Sequence, residues 1–122
     1  MADDAEKIVR ALKRLADKER VDLIFTTGGT GLSPRDVTPE ATKKVLDKEV
    51  PGIAEMMRVC GYQKEPRAIL SRGTAGIRKK SLVINLPGSP KAVEESLELL
   101  LPVIPHGLKV LKGEVTSHED AG

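Results

Sequence analysis

The chain has 122 residues, 39% hydrophobic and 31% charged, which suits a single soluble domain with one modest core. A formal charge of +2 gives no electrostatic case for nucleic acid, and Phe25 and Tyr62, the only aromatics, form no base-stacking platform. Cys60 is alone, which excludes an internal disulfide framework and a thiolate-cluster zinc site; no apolar run nears the length of a membrane span, the acidic residues 1–4 show no secretory signal, and a cytoplasmic protein is expected.

From the N-terminus, Ala5, Ile8, Val9, Leu12 and Leu15 fall on one stripe of a helix predicted over 4–18, with Asp3 or Asp4 as N-cap. A strand over 21–26 follows, too continuously apolar to have one solvated face. Next comes "TTGGTGLSPRDVTPEA", residues 26–41, far richer in glycine than a turn needs. Thr38 is expected to cap, and Pro39 to open, a helix running to about Lys48. After Val50-Pro51-Gly52, the residues Ile53, Met56, Met57 and Cys60 mark another helical stripe, which Gly61 is expected to end. "EPRAIL" at 65–70 reads as a short strand or extended arm, and "SRGTAGIRKK" at 71–80 as a basic, solvated loop. "SLVINL" at 81–86 is a second buried strand, and Ser89 and Pro90 start the next helix. Val93, Leu97, Leu100, Leu101, Ile104 and Leu108 lie on the final helix or helices, broken at Pro102 and Pro105. A single domain over 1–113 and a polar tail over 114–122 complete the reading, an α/β pattern.

A helix over 4–18 spans about 22 Å and a strand over 21–26 about 20 Å, so helix start and strand end share one edge of the sheet. That edge collects Asp3, Asp4 and the loop 26–36. If 81–86 runs parallel to 21–26, Asn85-Leu86-Pro87-Gly88 ends there too, and open α/β sheets bind ligands at that edge. Consecutive glycines expose backbone N–H groups to an anion, threonine hydroxyls stand beside them, and Arg35, Arg72, Arg78, Lys79, Lys80 and Lys91 lie in loops able to reach it. Carboxylates amid such cations hold Mg²⁺ when the ligand is a polyphosphate. No Gly-Lys-Ser/Thr follows Gly28 and position 34 is proline, so neither of the familiar phosphate motifs fits. The residues alone imply a phosphorylated ligand at an α/β edge. Competing readings make Asp36 and Asp3 helix caps, and give the Asn85 amide either a ligand or a backbone partner.

"TTGGTG-x-x-x-RDVTPEA", then "PGIAEMMR", "AILSRGTAGIR" and "LVINLPGSPKAV", resemble in order the MogA/MoaB family and the G domains of gephyrin-type and plant molybdenum-cofactor proteins. The resemblance implies a three-layer α/β/α sandwich, commonly a homotrimer, in molybdenum- or tungsten-cofactor synthesis. It implies a molybdopterin adenylyltransferase that moves AMP from ATP to the terminal phosphate of molybdopterin, with Mg²⁺, releasing pyrophosphate. It carries Asp36 and Asp3 over as the catalytic, Mg²⁺-holding aspartates, and Gly28, Gly29, Thr30 and Gly31 as the nucleotide and phosphate loop. Ser71, Asn85 and Lys91 match substrate-binding positions. Relatives begin with a further strand, loop and helix, so an N-terminally shortened domain is expected, and Ala2 replaces their usual proline. The alternative reading is a non-catalytic pterin- or nucleotide-binding or trimerising module. The related domain of molybdate-insertion or CinA-type proteins shares a TGG-rich loop, but "RDVTPEA" and "NLPGSPKAV" argue against it.

Overall fold

The computed structural model describes residues 2–114, and of Ala2 and Asp3 the backbone alone; the expected tail lies, beyond Glu114, outside the described residues. Helix α1 (Ala2–Lys13) is amphipathic as expected: Leu12 is buried, and Ile8 and Val9 pack beside it. It already contains Asp3 and Asp4 in its first turn, so neither is an N-cap. The helix continues through Arg14–Lys18 as a π-turn, in which the Glu19 N–H reaches the Arg14 carbonyl and Ala16 stays in the core.

Strand β1 (Leu23–Thr27) is followed by the glycine-rich loop and helix α2 (Thr38–Val45). Here Val37 holds the cap position and gives no side-chain bond; Thr38 is already helical. α2 stops three residues before the expected Lys48, because the next segment forms a short strand, β2 (Lys48–Glu49), whose flanking Asp47 and Val50 N–H groups donate to Ile77 and Ala75. Helix α3 (Pro51–Lys64) runs past Gly61. Residues Pro66–Leu70 form a 3-10 turn with Glu65 as its cap, where a strand or extended arm was expected.

Inside the expected basic loop lies strand β3 (Ala75–Arg78), which forms a hairpin with β4 (Ser81–Leu86) across Lys79 and Lys80. Gly76 is required here, since a Cβ would strike the Lys48 carbonyl of β2. The sheet order is β1-β4-β3-β2, with β1 and β4 parallel from Leu23 opposite Leu82 to Thr27 opposite Leu86. Ser89 caps α4 (Pro90–Leu100) through the Ala92 N–H, as expected. Pro102 lies in the break before α5 (Ile104–Leu111), whereas Pro105 sits in the first turn of α5 and does not interrupt it.

Every residue of β4 is buried, and its alternation divides the core. Leu82, Ile84 and Leu86 face Leu100 and Ile104 together with Ile53 and Met57, so α3, α4 and α5 cover that face. Val83 joins Ile24, Leu12, Ala16 and Val45, so α1 and α2 cover the other. The architecture is the expected α/β/α sandwich around a mixed four-stranded sheet. Of the stripe read on α3, Ile53 and Met57 are core, while Met56 is about half exposed.

Candidate functional site

Parallel pairing brings the ends of β1 and β4 to one edge, and the chain closes it with glycines. Gly28 donates its N–H to the Leu86 carbonyl, and a Cβ placed on Gly88 would lie 3.4 Å from the Gly28 Cα. Gly28 and Gly29 have φ of +81° and +70°, a backbone that side chains resist, and a Cβ on Gly29 would collide with the Thr38 hydroxyl. The Gly29 carbonyl accepts the Thr38 N–H at 3.2 Å. Beyond that point, the N–H groups of Gly29, Thr30 and Gly31 have no hydrogen-bond partner among the described residues. Three successive donors are thus left without a protein partner, one of them on the buried Thr30, and successive free N–H groups are what backbone nests offer to anions.

Asp36 stands at the far end of this loop. Its N–H donates to the Ser33 carbonyl, and its carboxylate accepts the Ser33 N–H at 2.9 Å. The same carboxylate lies against Gly31, where a Cβ would be only 2.8 Å from Oδ2. Asp3 belongs to the first turn of α1, but its side chain lies outside the described residues.

The segment 71–74 crosses beside the loop. Arg72 sends Nε to the Gly31 carbonyl and Nη2 to the Asp36 carbonyl, each at 2.7 Å, and pairs Nη1 with the Glu40 carboxylate. That hydrogen bond is the main reason Glu40 is held below the usual glutamate pKa. Arg58 of α3 reaches the Ser71 and Gly73 carbonyls at 3.4 and 3.0 Å. Ser71 turns its Oγ toward the Gly73 N–H at 3.3 Å. The segment separates two cavities. One of ≈ 730 Å³ is bounded by Thr30, Gly31, Ser71 and Pro87 with α3 and α4, and one of ≈ 350 Å³ by Glu40, Lys43, Glu49 and Arg58. Both fall in the range of small-molecule sites.

Asn85 is 1% exposed and spends its amide inside the protein. Oδ1 accepts the Thr74 N–H at 3.1 Å, and Nδ2 donates to the hydroxyls of Thr26 at 2.9 Å and Thr42 at 3.0 Å. Lys91 is exposed in the first turn of α4 and lines neither cavity. The structure thus gathers Gly28, Gly29, Thr30, Gly31, Asp36 and Ser71 around one edge, with Asn85 beneath them. Arg78, expected in a solvated loop, is largely buried at the other end of β4, where it grips Asp17 of the π-turn with two hydrogen bonds of 3.0 and 2.7 Å. Arg58, Glu40 and the full reach of Arg72 were missed, because the sequence marks them only as charges near glycines.

Residues 1–106 match the family described as a probable molybdopterin binding domain. The chain is 50% identical over 113 residues to a molybdopterin adenylyltransferase of Helicobacter pylori strain J99, covering 93% of this chain and 64% of that protein. It is 51% identical over 96 residues to one of Haemophilus influenzae, covering 79% of this chain and 49% of that one. A crystal structure of the molybdopterin biosynthesis enzyme MoaB of Thermus thermophilus superposes with a TM-score of 0.84 at 57% identity, covering 89% of this chain and 69% of that one. The chain therefore spans less than two thirds of the length of these curated relatives.

Proposed function

Since the chain belongs to the family of probable molybdopterin binding domains, we propose that it works as a molybdopterin adenylyltransferase, joining AMP from ATP to the terminal phosphate of molybdopterin. The observation that carries this reading is the run of unpartnered N–H groups at Gly29, Thr30 and Gly31, with the Asp36 carboxylate against Gly31. Backbone donors fixed before substrate arrives stabilise charge as it develops on a transferring phosphoryl group, without reorganisation during the step.

The attacking group in this reading is a phosphate monoester, already ionised at neutral pH, so no strong general base is required. The protein has to align two anions and offset their repulsion. The glycine loop receives phosphate oxygens. Ser71, on the wall of the larger cavity, keeps a hydroxyl proton to donate to the pterin phosphate. Asn85 acts from below by fixing Thr26 and Thr74.

Among the described residues, no cluster of three or more metal-ligating side chains exists. A single loop carboxylate fits Mg²⁺, which usually takes one or two carboxylates and completes its shell with water and substrate phosphates. In this reading Asp36, with Asp3, would hold the ion, whose chemistry is to neutralise charge on the polyphosphate. One domain over 1–113, a cytoplasmic setting and a homotrimer belong to the same proposal.

Incubating the chain with ATP, molybdopterin and Mg²⁺ should release pyrophosphate and form adenylylated pterin. Tight binding of either ligand without turnover would convert the reading to that of a binding module. Failure to bind both would overturn it.

A further inference from the structure

We propose that Arg72 is the positioning residue that presents the glycine loop to phosphate, a role resting on the adenylyl-transfer reading above. Between Gly28 and Thr38 the chain has no regular structure, and its ends are anchored by the Gly28 bond to Leu86 and the Thr38 bond to Gly29. Among the described residues, every hydrogen bond joining the middle of the loop to the rest of the protein comes from Arg72. Its N–H meets the Thr30 carbonyl at 2.8 Å, and its guanidinium spans the Gly31 and Asp36 carbonyls.

Peptide geometry turns these bonds into aim. In a trans peptide the N–H points opposite to the preceding carbonyl. The Gly29 carbonyl is held by the Thr38 N–H, so the Thr30 N–H is directed away from α2. The Thr30 carbonyl is held by the Arg72 N–H, so the Gly31 N–H is directed away from the segment 71–74. The guanidinium then fixes the Gly31 and Asp36 carbonyls, and with them the backbone that carries the Asp36 carboxylate. Arg72 is itself steadied: Arg58 holds the carbonyls on either side of it, and Glu40 orients its third nitrogen. Only a planar fork reaches three acceptors in separate directions; a lysine ammonium is a single point.

Arg72→Ala keeps the main-chain bond and removes the fork. Hydrogen exchange measured by mass spectrometry on the whole chain should show the hydrogen-bonded loop amides of Ser33, Arg35 and Asp36 exchanging at least about tenfold faster, with residues 81–86 unchanged. Arg72→Lys should fall between the two, and Glu40→Gln should stay near wild type. In the transfer assay, Arg72→Ala should lower kcat at least about tenfold while the pterin KM stays within about threefold. Unchanged loop exchange would overturn the proposal, as would an equal rise across β4, which would signal general loosening. A wild-type chain that transfers no AMP would refute the enzymatic reading alone, since the exchange comparison judges the loop without turnover.

Discussion

Replacing Asn85 with alanine separates a residue that supports the site from one that touches substrate. Three hydrogen bonds are lost, each worth about 0.5–1.5 kcal/mol net. The Thr26 and Thr42 hydroxyls rotate and recover part of their loss. The Thr74 N–H belongs to a residue only 5% exposed and cannot turn, and an orphaned buried donor costs about 1–3 kcal/mol. A destabilisation of about 3 kcal/mol follows, a large share of the 5–15 kcal/mol typical of a whole domain. With a urea slope of about 2 kcal/mol per molar, the unfolding midpoint should drop by roughly 1.5 M with the slope unchanged. Thr42→Val, which removes one of the two amide acceptors, should cost about 1 kcal/mol. A midpoint shift below about 0.3 M for Asn85→Ala, accompanied by loss of pterin binding, would refute this reasoning and place the amide on the substrate.

Gly29→Ala should cost at least about 1–2 kcal/mol in urea unfolding, from the left-handed backbone and the collision with Thr38, whereas Gly52→Ala, whose Cβ would meet nothing within 4 Å in the first turn of α3, should be neutral or slightly stabilising; equal effects would contradict the strain at Gly29. Asp36→Asn keeps an oxygen for the Ser33 N–H, so the melting temperature should hold while pyrophosphate release falls roughly 10²-fold or more; wild-type turnover would remove Asp36 from the site. Asp17 has its pKa lowered, chiefly by the hydrogen bond from Arg78, so its stabilisation is present above the unfolded value near 3.8 and vanishes as pH falls through the lower folded value. Asp17→Asn should therefore melt below wild type at pH 7 and converge with it in strong acid; a constant gap across pH would exclude the ion pair as the cause. Glu65, gripped by the Arg67 side chain and N–H, should titrate at about 2 by NMR, and a value near 4.5 would break that pairing.

A continuous apolar run marked both β4 and β1, but only β4 is buried on both faces: β1 is the edge strand, with Phe25 exposed, against the expectation that it had no solvated face, while α1 was legible from its helical stripe. β3 was hidden because Gly76 and Arg78 look like loop residues. One is small to clear the Lys48 carbonyl, and the other is charged to reach Asp17, contacts that exist only after folding. Gly61 misled for a similar reason. A Cβ there would sit 3.0 Å from that of Ala68, so the glycine admits the 3-10 turn against α3 and does not stop the helix. At the site, the glycine loop and the carboxyl edge were readable from local chemistry. Asn85 stood out as an amide in an apolar strand, but the two threonine hydroxyls that take its N–H groups are 43 and 59 positions away. The Arg72 fork likewise spans 41, 36 and 32 positions. No local pattern encodes such reach.

The parallel pairing of β1 with β4 also orders events during synthesis. Thr26 and Asn85 are 59 positions apart, so β1 emerges from the ribosome well before the strand that pairs with it. The β3–β4 hairpin closes across two residues and can form at once, whereas the parallel pair must first close a long loop, the step that slows folding. The Gly28 anchor requires the Leu86 carbonyl, so the glycine loop cannot be set until translation has passed residue 86. A ribosome-bound chain stalled before that point would carry α1 and the glycine loop without the strand that shapes it.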